Sequence, residues 1–427
     1  MSIILTLIVF SILVFVHEFG HFIMAKKNGI YVVEFSIGMG PRLFSFDKGE
    51  TKYSWKLIPF GGACQMLGED EDEDVENDRA FNNKSVWARM VVLAAGPVFN
   101  FFLAFVLSVI IIGSVGYDPC IALKQDEGTA AYDAGIQEGD VITEYNGENI
   151  VIARDLLLEE YISTVTSDSI NVKYKRDGKE YETVIKPKKV YSMGISFYAD
   201  DKPAEISGIV KESAIEAAGI KAGDVITSLN GTEIKKGKDI SEYLDKNPLT
   251  GDDIEITVER KDKTITKTIA PRTTYSTGLA YSSGRVKTGP LGVLRYSLTE
   301  MRYDTEYVIK SLWMLVSGKI GADAVSGPVG IADVVDQTYQ ESKSDGAFYV
   351  FLNIAYLTVL FSVNLGVLNL LPFPALDGGR LLFVIIEAIR RKPVPKEKEA
   401  VVHLIGMAIL MAFMVFVLFN DIKKLIG

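Results

Sequence analysis

His17-Glu18-Phe19-Gly20-His21 sets two histidines four residues apart with a glutamate beside the first. On an α-helix, positions i and i+4 share a face, so both imidazoles can reach one ion. Glu18 stands next to them, placed to take a proton from a water that the ion activates. Zinc suits this arrangement, because a third protein ligand still leaves a position open for water. Two hydrogen-bonded histidines at a helix end are the purely structural alternative. Against it, the 427-residue chain has only three histidines, and two of them are here. His17 also lies nine residues before Lys26, about 13 Å along a helix from the first basic residue. Burying His-Glu-His at that depth without a partner is costly.

A third ligand must come from elsewhere in the chain. Asp377 is one candidate, in Asn369-Leu-Leu-Pro-Phe-Pro-Ala-Leu-Asp-Gly-Gly379, where prolines break a helix and let a loop turn back. A cap or turn before Gly378 is its structural alternative. His403 is the rival ligand, or else a neutral histidine packed between helices.

These residues need elements to hold them. Charge-free stretches run Ser2–Val16, Met90–Tyr117, Ala347–Leu376 and Ala400–Asn420. Each reaches or approaches the roughly 20 residues that cross a bilayer. The first does so only by taking in His17, Glu18 and His21 and continuing to Ala25, and ionisable groups inside a span mark a functional site. No Lys or Arg precedes its apolar run and no small-x-small cleavage site follows, which argues for a retained helix over a signal peptide. The mean hydropathy of +0.19 averages these spans with a charged middle.

The connection from Lys26 to Arg89 carries nine Lys/Arg residues and the one after the third span carries six, whereas the amino terminus carries none. By the positive-inside rule both connections are cytoplasmic and the middle faces outside, although Lys423 and Lys424 count the other way. Cys64 and Cys120 then fall on opposite sides, so no internal disulfide is expected. The net charge of −10 lacks the basic face of a nucleic-acid binder. Eight of the 55 acids sit in Glu69–Asp78, which has no spaced calcium-loop pattern and reads as a solvated loop.

The middle repeats itself at an offset of 84. Ala134-Gly-Ile-Gln-Glu-Gly-Asp-Val-Ile142 matches Ala218-Gly-Ile-Lys-Ala-Gly-Asp-Val-Ile226, Asn146-Gly147 matches Asn230-Gly231, and Tyr191-Ser-Met-Gly-Ile195 matches Tyr275-Ser-Thr-Gly-Leu279. Turn signals around short β-branched runs make each unit a small β-rich domain. The A-G-I-x-x-G-D-V-I run resembles bacterial PDZ domains. That resemblance implies peptide-binding loops at Met193-Gly194-Ile195 and Thr277-Gly278-Leu279, with an adjoining strand that pairs with a peptide; glycines that only make turns, in loops that bind nothing, are the alternative.

An H-E-x-x-H in the first span, an N-x-x-P-x-P-x-L-D-G after the third and PDZ-like units between spans together resemble the bacterial site-2 proteases, in the branch that cleaves anti-sigma factors. Gly96-Pro97-Val98-Phe99-Asn100-Phe101 and Gly327-Pro328-Val329-Gly330-Ile331 are further features of that family. The resemblance implies one zinc ion per chain held by His17, His21 and Asp377, with Glu18 as general base. It implies that Asn364 and Asn369 hold the unwound substrate or help stabilise the developing oxyanion; helix–helix hydrogen bonding within the bundle is their structural alternative. It further implies that Phe60-Gly61-Gly62 belongs to a loop that pairs with substrate as a strand; a plain hairpin on the membrane is the competing reading.

The expected fold is a polytopic α-helical membrane protein of four transmembrane helices with two inserted β-rich PDZ-like domains. The expected boundaries are 1–116 for two spans and a cytoplasmic hairpin, 117–199 and 200–283 for the PDZ-like units, 284–345 for an amphipathic connector and 346–427 for the last two spans. In the connector Leu291, Leu294, Leu298, Met301, Thr305, Val308, Leu312 and Leu315 recur at helical period, an expected packing stripe against a PDZ-like unit, with a helix lying on the outer membrane surface as the alternative. The implied function is intramembrane proteolysis of single-span proteins in a bacterial cell membrane, with the active site near the cytoplasmic face. Anti-sigma factors and signal-peptide remnants are the implied substrates. A catalytically silent PDZ scaffold that binds peptide ends is the alternative.

Overall fold

The computed structural model describes residues 2–69, 77–210, 213–261, 263–282 and 284–426, with the side chains at 2, 3, 59, 60, 323, 396 and 424–426 outside that description. The acidic run therefore lies outside it from 70 to 76, as does the side chain of Phe60. The chain divides into a helical unit, 1–117 with 285–427, and a β-rich unit, 118–284.

The helical unit opens with α1 (Ser2–Lys27), followed by the strands β1 (Val32–Lys48) and β2 (Thr51–Met66). Both strands bend, β1 at Gly38 and Gly40 and β2 at Gly61, all at positive φ. The bends turn two strands into four runs. Residues 32–37 pair with 62–66 on one side and with 51–55 on the other, while 42–48 pair with 51–56. The run Gly62–Met66 is consequently an edge strand. Next comes α2 (Val86–Val115), whose N-cap Ser85 accepts a hydrogen bond from the Ala88 amide.

The β-rich unit contains β3 (Ile121–Ala122), α3 (Ala130–Asp133), β4 (Val141–Tyr145), β5 (Glu148–Asn149), α4 (Ala153–Ile162), β6 (Ile170–Arg176), β7 (Lys179–Ile185) and β8 (Lys188–Ser192). The pattern then repeats as β9 (Ile195–Phe197), β10 (Ile206–Ile209), α5 (Ala214–Ala217), β11 (Val225–Leu229), β12 (Thr232–Glu233), α6 (Gly237–Lys246), β13 (Ile254–Arg260), β14 (Lys263–Ile269), β15 (Arg272–Ser276) and β16 (Tyr281–Ser282). In β6 and β13 alternate residues are buried (Ile170, Val172, Tyr174; Ile254, Ile256, Val258), as a sheet with one covered face requires.

The expected tandem boundary at 199/200 does not match how these residues pack. β16 pairs with β3, and Leu279 is buried with Cys120, Ile142 and Leu156. β9 pairs with β10, and Met193 is buried with Ile206, Ile215 and Ile226. The second core is therefore nested within the first, which is built from residues on both sides of it. β8 and β15 pair antiparallel with Val190 opposite Thr274, two positions separated by the repeat offset, so a local two-fold axis passes between them. An internal repeat reveals the period of a chain but not which core receives each closing strand.

The helical unit resumes with α7 (Pro290–Val316), α8 (Pro328–Ser342), α9 (Ala347–Leu370), α10 (Asp377–Arg390) and α11 (Lys396–Ile426). Among the described residues, four helices are long and apolar enough to span a bilayer, over Ile4–Lys27, Val86–Val115, Ala347–Leu370 and Glu397–Lys423. α7 packs on α2 and α9. Its buried side chains include Ser297, Glu300 and Asp304, while Leu291, Leu294 and Leu298 are exposed. The expected stripe is covered only in its later part, where Val308 and Leu312 pack with Ile111 and Leu352.

Candidate metal centre

Close approach of α1 and α2 builds the site. Gly20 faces the backbone of Ala95, where a Cβ would stand 2.5 Å from the carbonyl oxygen. Gly96 faces the histidines, where a Cβ would stand 2.3 Å from His21 Nε2 and 2.8 Å from His17 Nε2. Small residues let helices in lipid come this near, and here the space so made is filled by two imidazoles. Both histidines are buried.

His21 is oriented by its other nitrogen: Nδ1–H donates to the Val92 carbonyl at 2.8 Å, which leaves the Nε2 lone pair free. His17 is met by Asn100, fully buried on α2, whose amide Nδ2 lies 3.2 Å from Nδ1 and whose Oδ1 has no partner. A half-turn of that amide lets His17 Nδ1–H donate to Oδ1, satisfies the orphan oxygen and frees Nε2 in the same way. Asn100 is tied in turn through its carbonyl, which accepts from Ser362 Oγ on α9 at 2.7 Å.

Asp377 arrives from the loop after α9. That helix ends at Leu370, and Pro372 and Pro374 prevent it from continuing. Gly378 and Gly379 sit so close to the carbonyls of Leu370, Leu371 and Phe373 that no side chain fits there. The fold-back sets Asp377 at the first position of α10, with Oδ2 3.1 Å from His17 Nε2 and 3.4 Å from His21 Nε2. The two Nε2 atoms are 3.2 Å apart. Ligands about 2.0–2.1 Å from a tetrahedral zinc stand about 3.3 Å from one another, so this triangle has the dimensions of a zinc face. Asp377 Oδ2 also receives no hydrogen bond, as expected of an oxygen whose partner is an ion. The residues present therefore fit zinc. His403 is not a member of the cluster; its Nδ1 accepts the amide of Ala375 instead.

A cavity of about 400 Å³ opens beside the triangle, lined by Glu18, the edge strand from Gly62 to Met66, Glu34, Lys56, Glu69 and Arg380. Gly62 touches Glu18, and a Cβ there would stand 3.0 Å from Glu18 Cγ. Arg42 beside Glu34, with Lys56 at 3.8 Å, holds that carboxyl down at about 2 despite burial. Glu69 behaves oppositely, because burial pushes its carboxyl up although Arg380 Nη1 lies 2.5 Å away. Asn364 and Asn369 are half-buried on α9 and do not line this cavity.

In the β-rich unit the two Gly-containing loops are packed inward. Met193, Thr277 and Leu279 are buried, and a Cβ on Gly278 would stand 2.5 Å from Thr129. The amides of Gly194 and Gly278 donate to Ser192 Oγ and Ser276 Oγ, at 3.1 and 3.0 Å. Ile195 opens the paired strand β9.

Residues 5–413 match the family described as peptidase family M50. The chain is a member of peptidase family M50. It is 33% identical to a "zinc metalloprotease RasP" of Geobacillus kaustophilus, over 99% of this chain and 98% of the relative. It is 30% identical to the "regulator of sigma-W protease RasP" of Bacillus subtilis, over 99% of each. A putative zinc metalloprotease of Vibrio cholerae matches at 30%, over 98% of each. Among solved structures, a PDZ domain protein from Parabacteroides distasonis matches 21% of the chain at 21% identity, with a TM-score of 0.18 that is too low to inform the fold. Membership of the M50 family makes the chain a multi-pass zinc metalloprotease of the site-2 type. Gly96 and Asn100 carry much of the site's geometry, and the sequence marked them only as part of the Gly96–Phe101 family feature, without a role at the site.

Proposed function

We propose that His17, His21 and Asp377 hold one zinc ion and that Glu18 is the general base for hydrolysis of peptide bonds within transmembrane segments. The triangle of 3.1, 3.2 and 3.4 Å carries this reading. When bound there, zinc supplies the Lewis acidity that polarises a carbonyl and activates water. Glu18 takes the water's proton and returns it to the leaving amine. The outer edge of the strand Gly62–Gln65 is available to an unwound substrate along the cavity wall, and Gly62 keeps that strand against Glu18. Asn364 and Asn369, on α9, contact the unwound segment. Phe60 and Gly61 belong to the loop that pairs with it.

The active site lies near the cytoplasmic face and the β-rich unit outside, by the distribution of basic residues. The β-rich unit consists of two PDZ-like domains that receive peptide ends or limit the size of what enters. Since the Bacillus subtilis relative is named for sigma-W regulation, single-span anti-sigma factors are the proposed substrates, with signal-peptide remnants as a second group. Cleavage of a model transmembrane substrate by Glu18→Gln tests the scheme. Loss of about 10³-fold or more in rate with zinc retained is expected, and undiminished cleavage overturns the assignment.

A further inference from the structure

The third histidine meets the metal loop from a different helix. Ala375, two residues before Asp377, adopts φ +74°, a left-handed conformation that strains any residue with a Cβ. Its N–H donates to His403 Nδ1 on α11 at 2.8 Å. Nδ1 is thus the acceptor and Nε2 carries the hydrogen, with the Glu399 carboxylate 3.8 Å from it, one turn back on the same helix. One turn onward, Gly406 brings α11 against the same loop, where a Cβ would stand 2.4 Å from Pro374 Cβ and 2.7 Å from the Pro374 carbonyl oxygen. α11 is otherwise the least buried span, with 11% of its apolar window covered. Its contact with the loop is therefore specific rather than part of broad packing. Within the loop, hydrogen bonds from Phe373 N–H to Leu371 O and from Leu376 N–H to Phe373 O hold the neighbours of Ala375 but not its own amide.

We infer that His403 is a positioning residue: it fixes the left-handed turn at Ala375 and so sets how far Asp377 Oδ2 reaches into the ligand triangle. The inference rests on the reading of Asp377 as a zinc ligand. His403 never touches the ion; it acts through one backbone amide. The role explains why a histidine stands one turn into an apolar span without joining the cluster.

Zinc affinity of the full-length protein in detergent, measured by competition with a chelator, tests this, together with the visible absorption of the cobalt-substituted protein. Asp377→Asn is expected to weaken zinc more than any His403 variant and to change the cobalt spectrum; unchanged affinity there overturns the ligand reading itself. His403→Ala is expected to weaken zinc about 10-fold, the lower end for partners that orient a ligand. His403→Asn, whose Oδ1 can accept the Ala375 amide, should recover most of the loss. Ala375→Gly removes the strain, so His403→Ala in that background should cost markedly less than in the native one. The inference is overturned if Asp377→Asn weakens zinc while His403→Ala does not, if His403→Asn behaves like His403→Ala, or if the His403→Ala loss is the same in both backgrounds.

Discussion

Asp224 in the β-rich unit and Asp377 in the helical unit are both carboxylates removed from water beside nitrogen groups, but their oxygens are used differently. Asp224 Oδ1 accepts from Arg260 Nε at 2.6 Å, and Oδ2 accepts from Arg260 Nη2 at 2.7 Å and from the Lys221 amide at 2.8 Å. The first repeat has the same device in Asp140, Arg176 and the Gln137 amide. Every oxygen has a donor, and the arrangement is complete. Asp377 Oδ2, by contrast, faces two imidazole nitrogens and receives no hydrogen bond. A polar cluster that serves structure satisfies itself, whereas one that serves chemistry keeps an acceptor for a partner from outside the chain. An unmatched oxygen at the centre of the triangle is therefore worth more than the motif's letters.

The difference can be broken or sharpened by substitution. The largest effect belongs to Asp377→Asn, which should weaken zinc by more than the roughly 100-fold typical of residues that only orient ligands. Equilibrium dialysis against a metal buffer measures it, and the melting of the β-rich unit should not move. Asn100→Leu should weaken zinc by about 10- to 100-fold, because His17 Nδ1 loses its orienting partner while the ligand atoms all remain. Gly96→Ala should give a loss of similar size, since its methyl group occupies space now held by both imidazoles; native zinc affinity would contradict the packing described for α1 and α2.

Asp224→Asn should do the reverse, lowering the stability of the β-rich unit by removing the carboxylate that Arg260 and the Lys221 amide share, while zinc binding stays native. Its pH dependence has a defined sign. Burial pushes the Asp224 carboxyl up, but the Arg260 guanidinium and the Lys221 amide outweigh it and hold it below the usual aspartate value. A depressed carboxyl stabilises the fold above the unfolded value near 3.8 and loses that contribution as pH falls through the folded one. Thermal melts of the native protein should drop across that acid range more steeply than those of Asp224→Asn. The smallest effect is expected for the exposed pair Lys175–Glu180, at 3.2 Å, where Glu180→Gln should shift stability by less than about 0.5 kcal/mol.

How much of this was legible beforehand follows from what each signal encodes. Spacing placed His17 and His21 on one helical face, because the i, i+4 relation is intrinsic to a helix. By spacing alone Asp377 is a charge beside prolines, and the N-x-x-P-x-P-x-L-D-G resemblance singles it out as a ligand; its reach depends on a left-handed Ala375 that no local pattern announces. Gly96 and Asn100 were marked only as part of a family feature and not given a role, because their contribution is interhelical distance, a property of two helices together. Hydropathy gave the four spans, and the helical period of α7 marked Val308 and Leu312, which are packed, together with Leu291, Leu294 and Leu298, which are exposed. The offset of 84 gave two β-rich cores yet could not say that Leu279 completes the first of them and Met193 the second.

That exchange has a consequence for synthesis on the ribosome. Ile121 must wait for Ser282, about 160 residues later, before its sheet gains its last strand. The inner core, from Met193 onward, has all its strands first. The order of completion thus runs from the inside outward, like nested parentheses, and the outer core spends that interval with an open edge. Excising residues 200–283 as if they were a module would leave the outer core permanently unfinished and β9 without its partner β10. Removing 193–276 instead respects the nesting and rejoins the two pieces of the outer core.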